Sequence, residues 1–446
     1  MNPSKENRVV FIILLAAFVL RGPLLIVAFQ HPGRAYLPDS QSYIAPALKL
    51  LATGYYPVDS AMRTPVYPMF VAAIYGIGGQ NPIIIILVQM VISTLSVFIT
   101  YKLGSRLISK PAAMIGAVLI AISVESITNS FFLLTESLFT FLLLASLLAW
   151  VKSRQDGKGR WLVIAAILMG LAILCRPIAF YYPLVVAGTI LFDLRRRWIP
   201  RLRDILIYLV ITALVLFPWL LRDYILFGSP TVSTITNYNL LFYNAAQLEA
   251  NLTGVSETAV LPNLQSQANQ MLERNGWADT EGNRASVEGR LAWQIILAHP
   301  VRYVYLHLKS DLNNFLPDVT DLTEILGLTV GGKGTLGVLN QYGLLAAVQN
   351  YFGGNVWLLG VFFPLIALIG LTYLADIVGV VSIVRERKWF ALAILLFPMV
   401  YLMLIPGAPS EPRFRVPAMP YFCLLAGLGM EIIFIRAHKK FSKKIA

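Results

Sequence analysis

Ten apolar runs constrain the fold of this chain more than any other feature of its sequence. They lie at about 9–29, 83–101, 111–124, 131–150, 161–174, 178–192, 205–221, 356–375, 389–405 and 416–435. A helix needs roughly 20 residues to cross about 30 Å of hydrocarbon, so the helices of the shorter runs are expected to extend into flanking residues. Only 13% of the 446 residues are charged, against about 25% in soluble domains. The sequence therefore predicts an all-α polytopic membrane protein with about ten transmembrane helices.

The two runs between 161 and 192 form either one long helix or a hairpin that is broken at Arg176-Pro177. A single crossing would place the basic residues of 152–160 and those of 195–203 on opposite sides of the membrane. A hairpin places both groups on one side, as expected for short loops rich in Lys and Arg. We therefore predict the hairpin.

With ten spans, every basic cluster falls on the same side of the membrane, so both termini are predicted to be cytoplasmic. This arrangement accounts for the net charge of +13, and no nucleic-acid partner is expected. The first run contains Arg21 and lacks a small-residue cleavage site, so we expect a retained anchor rather than a cleaved signal peptide. The clusters are Lys5 and Arg8; Lys102, Arg106 and Lys110; Lys152, Arg154, Lys158 and Arg160; Arg195, Arg196, Arg197, Arg201 and Arg203; Arg385, Arg387 and Lys388; and Arg436, Lys439, Lys440, Lys443 and Lys444.

Two outward segments are too long to be turns: the first loop, about 30–82, and the large loop, about 222–355. The large loop has helical patterning around 285–316 and 335–352, and we expect a small extracytoplasmic domain there.

No internal repeat is evident, which argues against a transporter, since many transporter folds are built from repeats. The predicted organisation is an N-terminal transmembrane module with the first loop (1–222), an extracytoplasmic loop domain (223–355), and C-terminal transmembrane helices with a basic cytoplasmic tail (356–446).

The sequence lacks the motifs of several other classes of enzyme. It has no Gly-rich nucleotide loop and no convincing serine-nucleophile or zinc-protease motif. Its four histidines are scattered, and Cys175 and Cys423 lie far apart in apolar runs. We therefore expect no cofactor, no metal held by His or Cys, and no disulfide.

Charged residues gather at the outward ends of the apolar runs. Ionisable groups in or beside lipid are costly, so they are functional candidates by default. Their position on one face, at the water boundary, suits an enzyme with an outward-facing site better than a transport path through the middle of the membrane. They are Asp39, Arg63, Glu125, Glu136, Arg176, Arg222, Asp223, Glu411, Arg413 and Arg415.

Asp39 precedes a predicted amphipathic helix that lies on the membrane surface and stops at Gly54. If Ser42 is the N-cap, Pro46 falls in the first turn, where proline is tolerated. Asp39 is then either a helix cap or a reactive carboxylate. The predicted apolar face of this helix comprises Ile44, Ala47, Leu48 and Leu51.

The other candidates also have plain structural alternatives. The motif Arg63-Thr64-Pro65-Val66-Tyr67-Pro68 places an Arg and a Tyr at the interface, where both are common anchors. Arg176, in the turn of the hairpin, is either an anchor or a phosphate ligand. Glu411 and Arg413 can pair with each other. Glu136 lies inside an apolar run, where a carboxylate is costly unless it is paired or protonated, so it is the hardest acid to explain structurally.

These features form an ordered set of motifs along nearly the whole chain. The motifs are Arg21; Asp39-Ser40-Gln41-Ser42-Tyr43; Arg63-Thr64-Pro65-Val66-Tyr67-Pro68; Thr135-Glu136; Cys175-Arg176-Pro177; Pro218-Trp219 with Arg222; His299-Pro300; and Glu411-Pro412-Arg413-Phe414 with Pro417 and Pro420. Together they resemble the GT-C superfamily of membrane glycosyltransferases, in the branch that contains protein O-mannosyltransferases and the lipid A aminoarabinose transferase.

The resemblance implies an inverting glycosyltransferase that moves a sugar from a polyprenyl-phosphate donor to an extracytoplasmic acceptor. It implies Asp39 as the catalytic aspartate, and Arg63 and Arg222 as ligands of the donor phosphate. We add Arg176 as a third phosphate ligand. Several relatives carry two adjacent acids at the catalytic position, whereas Ser40 follows Asp39 here, so a second acid would have to come from elsewhere, for example Glu136. The other predicted site-lining residues are Tyr43, Tyr67, Glu136, Glu411 and Arg413.

The chemistry of these residue types agrees with that function. An acceptor hydroxyl needs a base such as a carboxylate, and the charge that develops on a leaving phosphate needs fixed cations, for which Arg is suited. A metal is then not required, and a lipid-phosphate donor needs no nucleotide loop. The expected partners are a polyprenyl-phosphate-linked sugar, membrane lipids and an extracytoplasmic acceptor.

Other functions stay open at this point. A ligase or oligosaccharyltransferase that uses a pyrophosphate-linked glycan is the main alternative, and an oligosaccharyltransferase would need a divalent metal held by further acids. A lipid-linked sugar transporter and a non-catalytic scaffold are less favoured. The sugar is open, and so is the acceptor: lipid A, a glycan repeat, an arabinan or a protein Ser/Thr. The single N-glycosylation sequon, Asn251-Leu252-Thr253, and the modest size favour a prokaryotic inner membrane.

Overall fold

The computed structural model describes residues 3–57, 60–191, 197–328, 335–352 and 357–445. Within these ranges the chain is helical and contains no strand. Arg195 and Arg196 of the predicted basic clusters lie outside the described residues, as do positions 192 and 356 of the predicted apolar runs.

The α-helices of the described residues follow one another with short connections. They are α1 (Pro3–Gln30), α2 (Ser40–Thr53), α3 (Val66–Gly78), α4 (Pro82–Leu107), α5 (Lys110–Ala121), α6 (Val124–Thr128), α7 (Glu136–Asp156), α8 (Gly159–Cys175), α9 (Tyr182–Leu191), α10 (Trp198–Phe227), α11 (Ile235–Asn239), α12 (Ala246–Thr253), α13 (Glu257–Arg274), α14 (Glu281–Ala298), α15 (Pro300–Asp311), α16 (Val319–Leu326), α17 (Thr335–Tyr351), α18 (Trp357–Arg385), α19 (Trp389–Leu404) and α20 (Met419–Ile445).

Six of the described helices, α1, α4, α7, α10, α18 and α20, contain stretches long and apolar enough to cross a membrane. The other predicted runs coincide with the shorter apolar helices α5, α8, α9 and α19. The expectation that short runs extend into flanking residues is wrong for α5, whose 12 residues span only about 18 Å before the chain turns into α6. The chain is an integral membrane protein, and its number of spans stays a prediction.

The helix pair at 159–191 is broken at Arg176-Pro177, as predicted. Arg176 is extended, with φ −149° and ψ 118°, and ends α8. At the far end of α9, the indole Nε1 of Trp150 donates to Thr189 Oγ1 at 3.1 Å. The end of α9 therefore lies level with the end of α7, which carries Lys152. The chain returns to the side from which α8 started, which is the geometry of a hairpin.

Ion pairs mark one end of the helix bundle. Lys110 pairs with Glu6 at 2.7 Å, and Arg106 pairs with Asp156 at 3.1 Å. These residues lie at the starts of α1 and α5 and at the ends of α4 and α7. We call this the basic end of the bundle, and we call the opposite end, where α1 and α8 finish and α7 and α20 begin, the site end.

Glycines fix α20 tightly between its neighbours. A Cβ at Gly429 would overlap the carbonyl oxygen of Ala375 in α18, and a Cβ at Gly427 would overlap that of Ala112 in α5. Small residues allow such close approach of helix backbones in membranes. Because α20 is wedged in this way, the 3₁₀ turn that precedes it, Pro412–Ala418, is held in place at the site end.

The first loop contains α2 and α3. Helix α2 stops at Gly54, which is left-handed with φ +75°, as predicted. It begins at Ser40 rather than beyond Ser42, so Pro46 lies in the second turn, where it removes one helical hydrogen bond. Of the predicted apolar face, Ile44 and Ala47 are buried and Leu51 is exposed.

The helices of the large loop enclose a small apolar core of their own. Leu264 on α13, Leu291 on α14 and the nearby Leu241 are buried in this core, which is separate from the main core between the transmembrane helices. The predicted helical stretch at 285–316 is divided into α14 and α15, because Pro300 has no N–H and begins the second helix. The predicted domain boundaries stay predictions.

Candidate active site

Asp39 lies at the start of α2 with its carboxylate turned away from the helix. It is the N-cap residue, but its side chain makes no capping hydrogen bond. Instead, Arg63 Nη2 donates to Oδ1 at 2.9 Å and Arg413 Nη2 donates to Oδ2 at 3.2 Å. The Asp39 side chain is 43% exposed. One carboxylate is thus held by two cations and remains open to a ligand.

Arg63 is fixed by the first turns of α2. Its Nε donates to Ser42 Oγ at 2.9 Å, and its Nη1 donates to the Tyr43 hydroxyl at 3.1 Å. The guanidinium also lies over the Tyr43 ring, 4.6 Å from its centroid. Because α2 supplies all of these partners, the start of this helix sets the geometry of the Arg63–Asp39 pair.

Tyr67 lies behind this pair rather than in it. Its ring packs edge-on against Tyr43, with 5.4 Å between centroids. Its hydroxyl donates to Gln89 Oε1 at 2.7 Å, and the side chain is fully buried. Tyr67 therefore supports Tyr43 and does not contact Asp39 or its arginines.

Glu136 and Arg176 form a second ion pair at the site end. Arg176 Nη1 lies 2.6 Å from Glu136 Oε1. Glu136 is the first residue of α7, where the helix dipole favours a negative charge, and it is buried. The carboxylate that the sequence analysis found costly inside an apolar run therefore has a cationic partner.

Phe414 connects the two ion pairs. Arg176 and Arg413 both contact its ring, at 5.0 Å and 5.5 Å from the centroid. Arg413 Nε also lies 2.8 Å from Glu411 Oε2. The expected Glu411–Arg413 pair is present, but Arg413 reaches Asp39 as well. We call Asp39, Glu136, Glu411, Arg63, Arg176 and Arg413 the arginine–carboxylate cluster.

The arginines set the protonation state of Asp39. Burial raises the pKa of Asp39, but the positive charges of Arg63, Arg413 and Arg176 outweigh burial, and the pKa lies below its ordinary value. Asp39 is therefore an ionised carboxylate at neutral pH. Burial raises the pKa of the Tyr43 phenol, so Tyr43 stays neutral and accepts the hydrogen bond from Arg63.

Arg222 contacts a different part of the first loop. It donates to the carboxylate of Asp223 and to the carbonyl oxygen of Pro57, and it lies 3.4 Å from the carbonyl oxygen of Ser60. Its guanidinium stacks on Trp219 at 4.3 Å. The described contacts of Arg222 are those of a loop anchor, and the structure does not bring it to the arginine–carboxylate cluster. Its contact with a donor phosphate stays a prediction.

The sequence analysis did not single out Asp321, a buried residue of α16. Burial raises its pKa well above the ordinary value, and the negative charge of Asp318 raises it further, while Arg413 lowers it. Asp321 therefore lies within electrostatic reach of the cluster and keeps its proton to a higher pH than an ordinary aspartate does. Nothing in its sequence context separates it from the other acids of the large loop.

No group of three or more His, Cys, Asp or Glu side chains suited to a metal occurs within the described ranges. The carboxylates of the cluster are each paired with an arginine. That the reaction requires no metal stays a prediction.

Part of the chain matches a known protein family. Residues 62–221 match the family described as dolichyl-phosphate-mannose-protein mannosyltransferase. The matched segment includes Arg63, Glu136 and Arg176 but covers only about a third of the chain. No curated protein matches this chain.

The fold is similar to that of the oligosaccharyltransferase of Archaeoglobus fulgidus. The apo form is 14% identical, with a TM-score of 0.55 over 99% of this chain and 52% of that chain. The AglB complex with an inhibitory peptide and a dolichol-phosphate is 14% identical, with a TM-score of 0.53 over 97% of this chain and 51% of that chain. This chain thus spans about half the length of the archaeal structures that it matches.

A third similar structure is ArnT from Cupriavidus metallidurans bound to undecaprenyl phosphate. It is 14% identical, with a TM-score of 0.42 over 93% of this chain and 59% of that chain. The family match and the archaeal fold confirm the predicted resemblance to the GT-C superfamily and the predicted all-α membrane fold.

Proposed function

We propose that this chain, which resembles the GT-C membrane glycosyltransferases, is an inverting glycosyltransferase that moves a sugar from a polyprenyl-phosphate donor to an extracytoplasmic acceptor. One observation carries the proposal: the half-exposed carboxylate of Asp39 lies between Arg63 and Arg413 at one end of a membrane helix bundle. A base beside fixed cations is what transfer from a lipid phosphate requires. The matched family, whose description names dolichyl-phosphate-mannose, supports a monophosphate lipid donor.

In the proposed reaction, Asp39 takes the proton of the acceptor hydroxyl as its oxygen attacks the anomeric carbon. The bond from that carbon to the phosphate oxygen breaks, and its electron pair leaves with polyprenyl phosphate. The donor is a phosphodiester with one negative charge, and the product is a monoester that gains a second. Arg63, Arg176 and Arg413 supply cations for the charge that develops. Arg222 stays a proposed further phosphate ligand. To bind the phosphate, it would have to release its contacts with the first loop.

In this proposal, binding of the donor raises the pKa of the base, Asp39. Without a donor, the three arginines of the cluster face its three carboxylates, so the cluster is formally neutral. A donor phosphate competes with Asp39 for Arg63 and Arg413. Loss of those cations raises the pKa of Asp39, which makes it a better proton acceptor when the donor is in place.

The proposed location is a prokaryotic inner membrane, with both termini in the cytoplasm and the site end facing outward. The ion pairs of Lys110 and Arg106 at the basic end support this orientation, since Lys and Arg collect on the cytoplasmic side.

The proposal is tested by incubating the purified protein in lipid, with EDTA, with a panel of polyprenyl-phosphate sugars. Membranes of a strain that lacks the protein supply the acceptor, and release of free polyprenyl phosphate is followed beside an Asp39→Asn control. Release that depends on Asp39 supports the proposal. If no donor releases polyprenyl phosphate in the presence of these acceptor membranes, the proposal is wrong.

The second candidate is an oligosaccharyltransferase or ligase that uses a pyrophosphate-linked glycan. The fold similarity to the archaeal oligosaccharyltransferase supports this second candidate. A metal-dependent enzyme of that kind would lose its activity in EDTA and regain it with a divalent cation. Transfer from a pyrophosphate-linked glycan, and not from any monophosphate donor, would establish this candidate instead.

The pH dependence of the reaction is expected to report the cations around Asp39. The base must be ionised, so kcat/KM falls when the pH drops below the pKa of Asp39 in the free enzyme. Arg413 lowers that pKa, so an Arg413→Gln variant should show its acid limb at higher pH than the wild-type chain. The measurement is kcat/KM for the donor across acidic and neutral pH. An unchanged acid limb would mean that Asp39 is not the titrating base.

A further inference from the structure

A short segment of the large loop, residues 233–244, lies beside the cluster. We call it the bridge segment. At its start, the backbone N–H of Thr234 donates to the carbonyl oxygen of Ala61 at 3.1 Å, and Ser233 Oγ donates to the carbonyl oxygen of Met62. These carbonyl groups immediately precede Arg63 in the chain. The start of the bridge segment is therefore attached to one wall of the cluster.

The other end of the bridge segment is attached to the opposite wall. Asn244 Oδ1 accepts a hydrogen bond from the backbone N–H of Ala408 at 3.3 Å. A Cβ at Gly407, which is left-handed with φ +66°, would come within 2.5 Å of the same Asn244 oxygen. This turn leads directly to Glu411 and to Arg413. The bridge segment is thus fixed at both ends against the loops that supply the cluster.

Two tyrosines of the bridge segment are exposed although their neighbours are buried. Tyr238 is 41% exposed and Tyr243 is 44% exposed, whereas Leu241 and Ala245 are fully buried in the small core of the large loop. The rings of Tyr238 and Tyr243 are neighbours, with 6.5 Å between centroids and 63° between planes. The segment therefore presents a paired aromatic surface to solvent.

A π-helical turn over Leu240–Ala245 contains Tyr243 and directly follows α11, which carries Tyr238. In an α-helix, residues five apart point about 140° away from each other. A π-turn joins residue i to residue i+5 and therefore winds less per residue, so the turn reduces the angle between the directions of Tyr238 and Tyr243. Such turns are rare in proteins, and many of those that do occur are found at functional sites.

Of the two exposed tyrosines, Tyr243 lies near the charged part of the molecule. Burial raises the pKa of Tyr243, and its neighbour Tyr238 and the negative charges of Asp39 and Glu411 raise it further. The phenol of Tyr243 therefore lies within electrostatic reach of the two most exposed carboxylates of the cluster. The hydrogen bonds at both ends of the bridge segment independently place this segment beside the cluster.

We propose that Tyr238 and Tyr243 form an aromatic platform on which a sugar ring stacks beside Asp39, an inference that rests on the proposed function. One face of a sugar ring carries C–H groups, which match the electron-rich face of an aromatic ring. Tyrosine is suited to this contact because it offers a rigid, amphipathic surface at a low cost in conformational entropy. The ring belongs either to the donor sugar or to a sugar of the acceptor.

The test compares Tyr243→Ala and Tyr243→Phe with the wild-type chain, using the polyprenyl-phosphate sugar that the donor panel identifies. Stacking predicts that Tyr243→Ala weakens the sugar contact about fivefold, while Tyr243→Phe, which keeps the ring, stays within about twofold. Tyr305→Ala is the matched control, because Tyr305 is 57% exposed on α15, and it should behave as wild type. If Phe is as defective as Ala, the ring face is not the contact and the platform is wrong.

Two readouts separate the sources of the sugar. If the donor sugar stacks, Tyr243→Ala raises KM for the glycosylated lipid but leaves inhibition by bare polyprenyl phosphate unchanged. If the acceptor sugar stacks, donor KM stays constant, and transfer to limiting amounts of acceptor membranes falls. If neither value changes while Asp39→Asn is inactive, the platform alone is wrong. If Asp39→Asn is fully active, the proposed function fails, and the platform beside a catalytic Asp39 fails with it.

Discussion

An Asp39→Asn variant is expected to release polyprenyl phosphate from a polyprenyl-phosphate sugar about 10³-fold more slowly than the wild-type chain. Asparagine has the shape of aspartate and can still accept the hydrogen bond from Arg63, but it cannot take the proton of the acceptor hydroxyl. The side chain of Asp39 makes no capping hydrogen bond, so α2 should form as before. The measurement is kcat at saturating donor, with thermal unfolding as the check on folding.

The same variant should separate catalysis from donor binding. In the wild-type chain, the Asp39 carboxylate occupies Arg63 and Arg413, and a donor phosphate must compete with it. Without that negative charge, KM for the donor should stay the same or fall while kcat drops. A loss of stability or a large rise in KM would instead indicate that Asp39 mainly holds the two arginines in place.

A matched control is available in the large loop. Asp279 pairs with Arg284 at 2.7 Å and is exposed, so Asp279→Asn removes a paired carboxylate away from the cluster. It should keep wild-type kcat and KM. If Asp39→Asn retains kcat within about threefold of the control, the effect falls far below that of a general base, and Asp39 is not the base.

Local patterns in the sequence were sufficient to predict much of the fold. The apolar runs coincide with helices because a backbone in lipid must satisfy its hydrogen bonds internally, and a helix does so within one segment. The break at Arg176-Pro177 and the stop at Gly54 follow from backbone rules that act within one or two residues. Asp39, Arg63 and Arg176 could be identified as candidate site residues because ionisable groups at a lipid boundary are costly and usually have a function.

The contacts within the site could not be predicted in the same way. Arg413 reaches Asp39 from 374 residues away in the chain, and no local pattern encodes that distance. Arg222 follows the Pro-Trp motif that suggested a phosphate ligand, yet it contacts the first loop and its neighbour Asp223 rather than the cluster. Tyr243 lies in a π-helical turn that follows the α-helical turn of Tyr238, and the α-helical period does not predict that the two rings are neighbours.

The largest effect on stability is expected at the buried pair of Arg415 and Glu125. Arg415 is fully buried, and it donates to the carboxylate of Glu125, to the hydroxyl of Tyr373 and to the carbonyl oxygen of Phe315. An Arg415→Met variant would leave Glu125 as an uncompensated buried charge and should cost about 3–5 kcal/mol. The apparent Tm of the purified protein in detergent is the measurement.

A double variant and an exposed pair distinguish this effect from a simple loss of packing. Arg415→Met with Glu125→Leu removes both charges and should recover most of the stability, since buried pairs are often replaced by apolar residues at little cost. Arg106→Met, which breaks the exposed pair with Asp156, should cost no more than about 1 kcal/mol. If Arg415→Met lowers Tm no more than Arg106→Met does, or if the double variant is as unstable as the single one, then the uncompensated charge of Glu125 is not what destabilises the protein. The stability of the contact between α6 and the 3₁₀ turn at Pro412–Ala418 would then come from apolar packing around Arg415 rather than from the ion pair.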